Sequence, residues 1–308
     1  MPKVLITGGA GFIGSNIADL LLDKGYEVIA VDNLSTGSRK NLSKEAKLYV
    51  KDICRGDIRS VFEKERPDYV IHEAAQINVR TSVTDPVFDA KVNILGSLNL
   101  LECCKDYNVK KVLYASSGGA IYGEPVKLPA DEKNPIRPLC PYGASKYSVE
   151  NYLYIYKKNF GLDYVALRYA NVYGPRQDPL GEAGVVAIFM SRLSGGEKPV
   201  IYGDGEQTRD YVYVGDVARA NLLALEKRAT GTEYNIGTGI ETSVNQLYEK
   251  MRKAMSANVS AVHGKAVAGE VRRICLDNRL AQKELGWKPS VTLTEGLEKT
   301  MQWFTSRA

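Results

Sequence analysis

The stretch Thr7-Gly8-Gly9-Ala10-Gly11-Phe12-Ile13-Gly14 constrains the fold more than any other part of the chain. The apolar run from Val4 to Thr7 is too short for a helix and reads as a buried strand. Beyond the glycines, Ile13, Ile17, Leu20 and Leu21 recur at helical spacing until Gly25 stops them. In G-x-x-G-x-x-G, Gly8 permits a tight turn, Gly11 lets the backbone approach a pyrophosphate, and Gly14 lets the helix pack on its strand. The helix N-terminus then offers unpaired N–H groups to an anion. Glycines alone only make turns. The context of strand before and helix after makes this a dinucleotide site.

The alternation continues. Strands are expected at Tyr26–Val31, Lys47–Ile53, Tyr69–Ala75, Lys111–Ser116 and Asp163–Tyr169. Helices are expected around Ile58–Phe62, Pro86–Tyr107 and Tyr142–Phe160, with a glycine-rich loop after Ser116. This rhythm predicts an α/β fold, a doubly wound parallel sheet of Rossmann type covered on both faces. After Asn171 it loosens around Pro175, Pro179 and several glycines. A smaller α/β C-terminal substrate-binding domain is expected over 172–308, after a cofactor domain over 1–171 to which segment 203–238 returns.

Asp32 ends the second strand, where a carboxylate accepts hydrogen bonds from the adenosine ribose and repels a 2′-phosphate. NAD is therefore expected over NADP, although Arg39 lies close by and Asp32 alone also suits a turn before Asn33.

Pro141-Tyr142-Gly143-Ala144-Ser145-Lys146 places a tyrosine and a lysine at i and i+4, on one helix face. A free phenol has a pKa of about 10 and is a poor base at neutral pH. An ammonium about 6 Å away, at an effective dielectric of about 20, favours phenolate by roughly 2.8 kcal/mol, or about two pKa units. The positive charge of a nearby nicotinamide ring and the helix N-terminus would add to this, and together they would bring Tyr142 towards 7, the range of a general base. The chain has 19 tyrosines, and most must pack. Tyr142 stands out by its place after the fifth strand, whereas Tyr147, Tyr152, Tyr154 and Tyr156 suit core or subunit contact.

Composition removes other classes. Of the 308 residues, 44% are hydrophobic and 25% charged, near globular averages, so a disordered or fibrous chain is not expected. No apolar stretch approaches the roughly 18 residues of a spanning helix. The net charge of +5 comes from scattered Lys and Arg, a poor match to nucleic acid. The cysteines Cys54, Cys103, Cys104, Cys140 and Cys275 are odd in number and lack a Cys-x-x-Cys pair, and there are 2 His, so neither a disulfide framework nor a metal site is expected. With no export-signal pattern after Met1, a cytoplasmic protein is expected.

With these motifs in place, the sequence resembles the extended short-chain dehydrogenase/reductase family, and within it the NAD-dependent UDP-glucose (UDP-galactose) 4-epimerases. The most specific matching segments are Thr7 to Ser15, Tyr142 to Lys146, Leu167 to Asp178, Gly203 to Tyr211 and Glu284-Leu285-Gly286-Trp287. The resemblance implies that Tyr142 is the base and that Lys146 holds the nicotinamide ribose. It implies that Asp52 and Ile53 flank the adenine, that Ala74, Ala75 and Gln76 line the diphosphate, and that Asn93 is a structural, cofactor-side asparagine. Phe12, Ile13, Asn33, Ser116 and Tyr169 join the implied NAD set. On the substrate side it implies Asn171 and Arg209 at the UDP diphosphate, Tyr202 against the uracil, and Ile274 at the size gate for N-acetyl groups. Arg209 also has a physical case, since a guanidinium fork matches phosphate oxygens; the alternative is a surface ion pair with Asp210 or a neighbour.

Two departures stand out. Gly118 occupies the position of a family Ser or Thr that bonds the reacting sugar oxygen, leaving Ser117 or a water to take over. Val267-Ala268-Gly269-Glu270 lacks the family's arginine; Glu270 would keep a ribose contact, and either Arg272 or Arg273 compensates or substrate affinity is lower. The implied activity is interconversion of UDP-glucose and UDP-galactose through a transient 4-keto sugar. UDP-N-acetylglucosamine or UDP-glucuronate are alternative substrates. A nucleotide-sugar dehydratase or reductase, or a non-catalytic NAD-binding protein, are alternative functions. A homodimer is expected, because Leu95, Leu98 and Leu101, with Tyr152 and Tyr156, suggest a second apolar stripe on the helices near 86–107 and 142–160.

Overall fold

The computed structural model describes residues 1–179, 184–266 and 271–306. The first half lays down β1 (Lys3–Thr7), α1 (Phe12–Asp23), β2 (Glu27–Asp32), β3 (Lys47–Val50), α2 (Arg59–Glu65), β4 (Tyr69–His72), α3 (Val79–Thr84), α4 (Pro86–Ala90), α5 (Gly96–Asp106) and β5 (Lys111–Ser117). Next come α6 (Gly118–Ile121), α7 (Pro141–Phe160), β6 (Asp163–Tyr169), β7 (Asn171–Tyr173), α8 (Val185–Ser194), β8 (Val200–Tyr202), β9 (Thr208–Arg209), β10 (Tyr211–Tyr213) and α9 (Val214–Glu226). The chain closes with β11 (Thr232–Ile236), β12 (Thr242–Ser243), α10 (Val244–Ala254), β13 (Val262–Gly264), α11 (Arg279–Leu285) and α12 (Leu293–Thr305).

Seven parallel strands form the central sheet in the order β11-β6-β5-β4-β1-β2-β3. The α/β, doubly wound parallel arrangement read from the alternation is the one observed. The chain runs outward from β1 to β3 and returns to β4 on the other side of β1. The crevice beyond the C-terminal ends of β1 and β4 is therefore the switch point where ligands of such sheets bind. The inner strands are buried on both faces: Val4, Ile6, Ile71, Leu113 and Val165 pack under α1 and α9, while Leu5, Val70, Val112 and Tyr114 pack under α2, α5 and α7. A smaller cluster, with Phe189, Met190, Leu247, Met251 and Leu297, joins α8, α10 and α12.

Within segment 203–238, α9 packs on α1 and β11 pairs with β6, completing the sheet edge. Three boundaries differ from expectation. The third strand ends at Val50, because the Asp52 carboxylate accepts the Cys54 N–H at 2.8 Å and turns the chain. The fourth ends at His72 rather than Ala75. The glycine-rich segment after the fifth strand is a turn of helix, Gly118–Ile121, packed on α7. Among the described residues no helix is long and apolar enough to cross a membrane.

Candidate active site

The expected residues gather over the C-terminal ends of β1, β4, β5 and β6. At the glycine turn, Gly8 has φ +66°, and a Cβ there would stand 2.7 Å from the Ala74 nitrogen. A Cβ on Gly14 would collide with the Gly8 carbonyl, and Gly11 donates to that carbonyl at 3.0 Å. Ala74 is thus pressed against the turn, and Phe12 and Ile13 open α1 above it. Asp32 is buried; it accepts the N–H of Ala10 at 2.9 Å and of Leu34 at 2.8 Å, tying the end of β2 to the glycine turn. Burial raises its pKa, and the two backbone bonds pull it back. Asn33 reaches the Asp52 carboxylate at 3.3 Å, and the Ile53 side chain abuts Gly96. A glycine cradle at a helix N-terminus beside a buried carboxylate is the donor and acceptor set that a dinucleotide requires, so these residues fit NAD.

Asn93 lies in a wide turn between α4 and α5 and clamps Gln76. Its Oδ1 accepts the Gln76 N–H at 2.8 Å, while its Nδ2 donates to the Gln76 carbonyl at 2.9 Å. The Gln76 side chain turns inward, donating to Asp89 at 2.8 Å.

Lys146 is buried, and its Nζ donates to the Ala115 carbonyl at 2.9 Å. It stands 5.8 Å from the centre of the Tyr142 ring and 5.0 Å from that of Tyr114. Burial lowers its pKa to about 8, against the upward pull of Glu73 and Asp89. Burial pushes the Tyr142 phenol upward, so Lys146 by itself does not bring it towards neutrality; the expected shift needs the nicotinamide charge as well. The opposing influence is the Ser117 hydroxyl, which lowers the phenol's pKa and so is its near neighbour. The Ser116 hydroxyl instead donates to Glu150 at 2.6 Å, inside the buried Glu150–Arg168 ion pair, and so is turned into the protein. Tyr169 donates to Glu73 at 2.8 Å.

On the substrate side, the Asn171 Oδ1 lies beside Gly119, 3.7 Å from where a Cβ would stand. Tyr202 is exposed at the end of β8. Among the described residues Arg209 donates to the Thr208 carbonyl at 2.8 Å and forms no ion pair; Asp210 is buried and accepts from Thr238, Gly239 and Leu276 rather than from Arg209. Ile274 is buried within the large core cluster. Glu270, with Val267, lies outside the described residues. The two arginines expected to compensate there are engaged elsewhere: Arg272 pairs with Asp204 at 2.8 Å and Arg273 with Glu241 at 2.6 Å.

Sequence reading missed a polar layer beneath the site. The single hydroxyl proton of Ser97 goes to the Asn93 carbonyl at 2.5 Å, so His72 Nε2–H must donate to Ser97 at 2.8 Å. His72 Nδ1 then accepts from Thr7, at 2.7 Å. Burial lowers the His72 pKa to about 3, which fixes the ring as neutral. Asp89 accepts from Gln76, Asn93 and Ser145. His72, Asp89 and Ser97 belong to no motif; only their convergence in space with Thr7, Gln76, Asn93 and Ser145 marks them.

A family model described as NAD dependent epimerase/dehydratase matches residues 4–237. A UDP-glucose 4-epimerase of Mycolicibacterium smegmatis is 42% identical, with 99% of each chain covered. The crystal structure of a UDP-glucose 4-epimerase of Thermotoga maritima with UDP-glucose superposes with a TM-score of 0.97, at 50% identity and 99% coverage of both chains. That of a Thermus thermophilus UDP-glucose 4-epimerase complexed with NAD superposes at 0.95, at 44% identity, covering 99% of this chain and 100% of the other.

Proposed function

The chain belongs to the NAD dependent epimerase/dehydratase family, and from that footing we propose that it is an NAD-dependent UDP-hexose 4-epimerase, an isomerase interconverting UDP-glucose and UDP-galactose. The observation that carries this reading is Tyr142 with its ring centre 5.8 Å from the Lys146 ammonium, which is itself anchored on the Ala115 carbonyl of β5, two residues before Ser117. NAD, when bound, supplies acceptor and donor capacity for the hydride at C4 of the sugar. Tyr142 takes the proton of the 4-hydroxyl and returns it. Ser117 hydrogen-bonds that oxygen and the phenol, doing the work that Gly118 cannot. Lys146, fixed by Ala115, grips the nicotinamide ribose; its ammonium, with the positive charge that the nicotinamide ring would add, offsets the desolvation that otherwise holds the Tyr142 phenol protonated.

Asp32 takes the adenosine ribose hydroxyls, with Asn33, Asp52 and Ile53 around the adenine. Gly8, Gly11, Phe12, Ile13 and Gly14 face the pyrophosphate, together with Ala74, Ala75 and Gln76. Asn93, Ser116 and Tyr169 shape the pocket from beneath. Arg209 and Asn171 hold the UDP diphosphate, Tyr202 lies against the uracil, and Glu270 and Ile274 bound the ribose and sugar. Residues 1–171, with the returning part of 203–238, form the cofactor lobe; 172–308 form the UDP-sugar lobe.

We read the protein as a cytoplasmic homodimer. Its five cysteines are unbridged. The dimer face differs from the stripe expected from sequence: Leu101 and Tyr156 are core residues, Leu98 and Tyr152 pack against the core, and Leu95 alone of the five is largely exposed. The exposed apolar residues of the neighbouring helices are Val87, Phe88, Leu95, Tyr154, Ile155 and Phe160.

Incubation with UDP-glucose, UDP-galactose, UDP-N-acetylglucosamine and UDP-glucuronate, with C4 epimers read by NMR, tests the activity. Turnover of the glucose/galactose pair with NAD retained is the expected result. Exclusive turnover of another pair reassigns the substrate, and release of reduced or dehydrated sugar overturns the epimerase reading.

A further inference from the structure

Glu73 carries a charge at the reaction centre that the mechanism above does not use. The register places it there. His72 pairs with Tyr114 across β4 and β5, so Glu73 stands beside Ala115, whose carbonyl receives the Lys146 ammonium. Glu73 N–H donates to the Thr7 carbonyl at 3.1 Å, extending β4 by one rung along β1. Its carboxylate reaches the other way and accepts from the Tyr169 hydroxyl at 2.8 Å. Tyr169 pairs with Ser117 across β5 and β6. The Glu73–Tyr169 bond therefore bridges over the end of β5, roughly two strand spacings of about 4.8 Å, between Ser117 and the Lys146 anchor. Tyr169 in turn accepts from Asn221 on α9 at 2.8 Å, which fixes the direction of the chain: amide to phenol to carboxylate.

We propose, building on the epimerase reading, that Glu73 is a positioning residue whose carboxylate, tethered by Tyr169, keeps Lys146 an ammonium. Burial pushes Glu73 up to about 7 and Lys146 down to about 8, and each opposes the other's shift. The other groups facing Lys146 contribute less or nothing. Asp89, on α4, also pulls Lys146 upward, but less than Glu73 does, and it is shared among Gln76, Asn93 and Ser145. His72, on β4, is neutral, and the phenols of Tyr114 and Tyr142 are held protonated by burial. Glu73 is thus the carboxylate that weighs most on Lys146.

The test is the pH profile of kcat/KM for the holoenzyme from pH 6 to 9.5, in Glu73→Gln and Tyr169→Phe. Losing a charge within about 10 Å at a dielectric of about 20 moves a pKa by roughly one unit. Glu73→Gln is expected to shift the alkaline limb down by about that much. Its activity then stays near wild type at pH 6, where Glu73 is protonated, and falls about tenfold below it at pH 9. Tyr169→Phe keeps the charge but frees it, and is expected to shift the limb the same way by less. A second readout needs no turnover: NAD affinity of the cofactor-stripped protein across the same pH range, where Glu73→Gln is expected to lose affinity at lower pH than wild type. Profiles that fall uniformly, parallel to wild type, in both variants and both readouts overturn the proposal. Absence of UDP-sugar turnover in the wild-type protein overturns the epimerase reading, while the NAD titration still decides the role of Glu73.

Discussion

Leu276 fills the space that a side chain at Gly118 would need: a Cβ on Gly118 would stand 2.5 Å from Leu276 Cδ1 and 3.3 Å from the Arg168 carbonyl. Leu276 is fully buried, and its N–H is held by Asp210 at 3.2 Å, so it cannot swing aside cheaply. The missing hydroxyl at 118 is thus part of a packing arrangement, with glycine on one side and leucine on the other. φ at Gly118 is not positive, so backbone strain plays no part.

From this, Gly118→Ser is expected to destabilise the fold by about 1–3 kcal/mol, the range for overpacking a filled site. From sequence alone, restoring the family hydroxyl there would be tolerated. Adding Leu276→Ala to Gly118→Ser is expected to recover part of the loss relative to Leu276→Ala alone. Urea unfolding of the four proteins in this cycle reads the coupling; simple additivity would show that Leu276 does not exclude the serine.

Tyr142→Phe is expected to lower kcat by about 100- to 10,000-fold, the contribution of a positioned acid–base group. Ser117→Ala is expected to lose about 10- to 1000-fold, the scale of one active-site hydrogen bond. NAD content and thermal midpoint should be unchanged in both. Wild-type turnover in Ser117→Ala would falsify the relocated hydroxyl and leave Tyr142 and Lys146 as assigned.

Asp32→Asn is expected to weaken NAD binding by about 10- to 100-fold, the value of hydrogen bonds to a charged acceptor. It should also narrow the preference for NAD over NADP, because the repulsion of a 2′-phosphate is gone. Competitive titration with both nucleotides measures it. An unchanged ratio would assign discrimination elsewhere, with Arg39 the nearest cation.

His72 makes folding stability depend on pH. The unfolded imidazole takes up a proton below about 6.5, while the folded ring, its pKa lowered by burial to about 3, refuses it. The unfolded state then binds the extra proton, so this contribution is full above that range and is lost as pH falls towards 3. Glu73, raised to about 7, acts oppositely between its unfolded value and 7, so the His72 contribution must be isolated by difference. His72→Asn is expected to show a shallower loss of stability between pH 6.5 and 4 than wild type, read from urea midpoints. Parallel loss in both proteins would mean that the ring takes no part.

The sequence by itself determined the alternation, and with it the parallel sheet and its glycine turn. Those features depend on local periodicity and on backbone needs that side-chain identity records directly, as at Gly8 and Gly14. It also brought Tyr142 and Lys146 onto one helix face, because four residues make about one turn. Tertiary structure decided which environment those groups meet. Desolvation, which opposes the expected lowering of the Tyr142 pKa, depends on what packs over the phenol, and no spacing encodes that. Leu276 lies 158 positions from Gly118 in sequence, and Tyr169 lies 96 from Glu73; strand order alone makes each pair neighbours. The helical stripe of Leu101 and Tyr156, which reads as interface from periodicity, was assigned to the core because α5 and α7 pack side by side on the sheet and bury both residues.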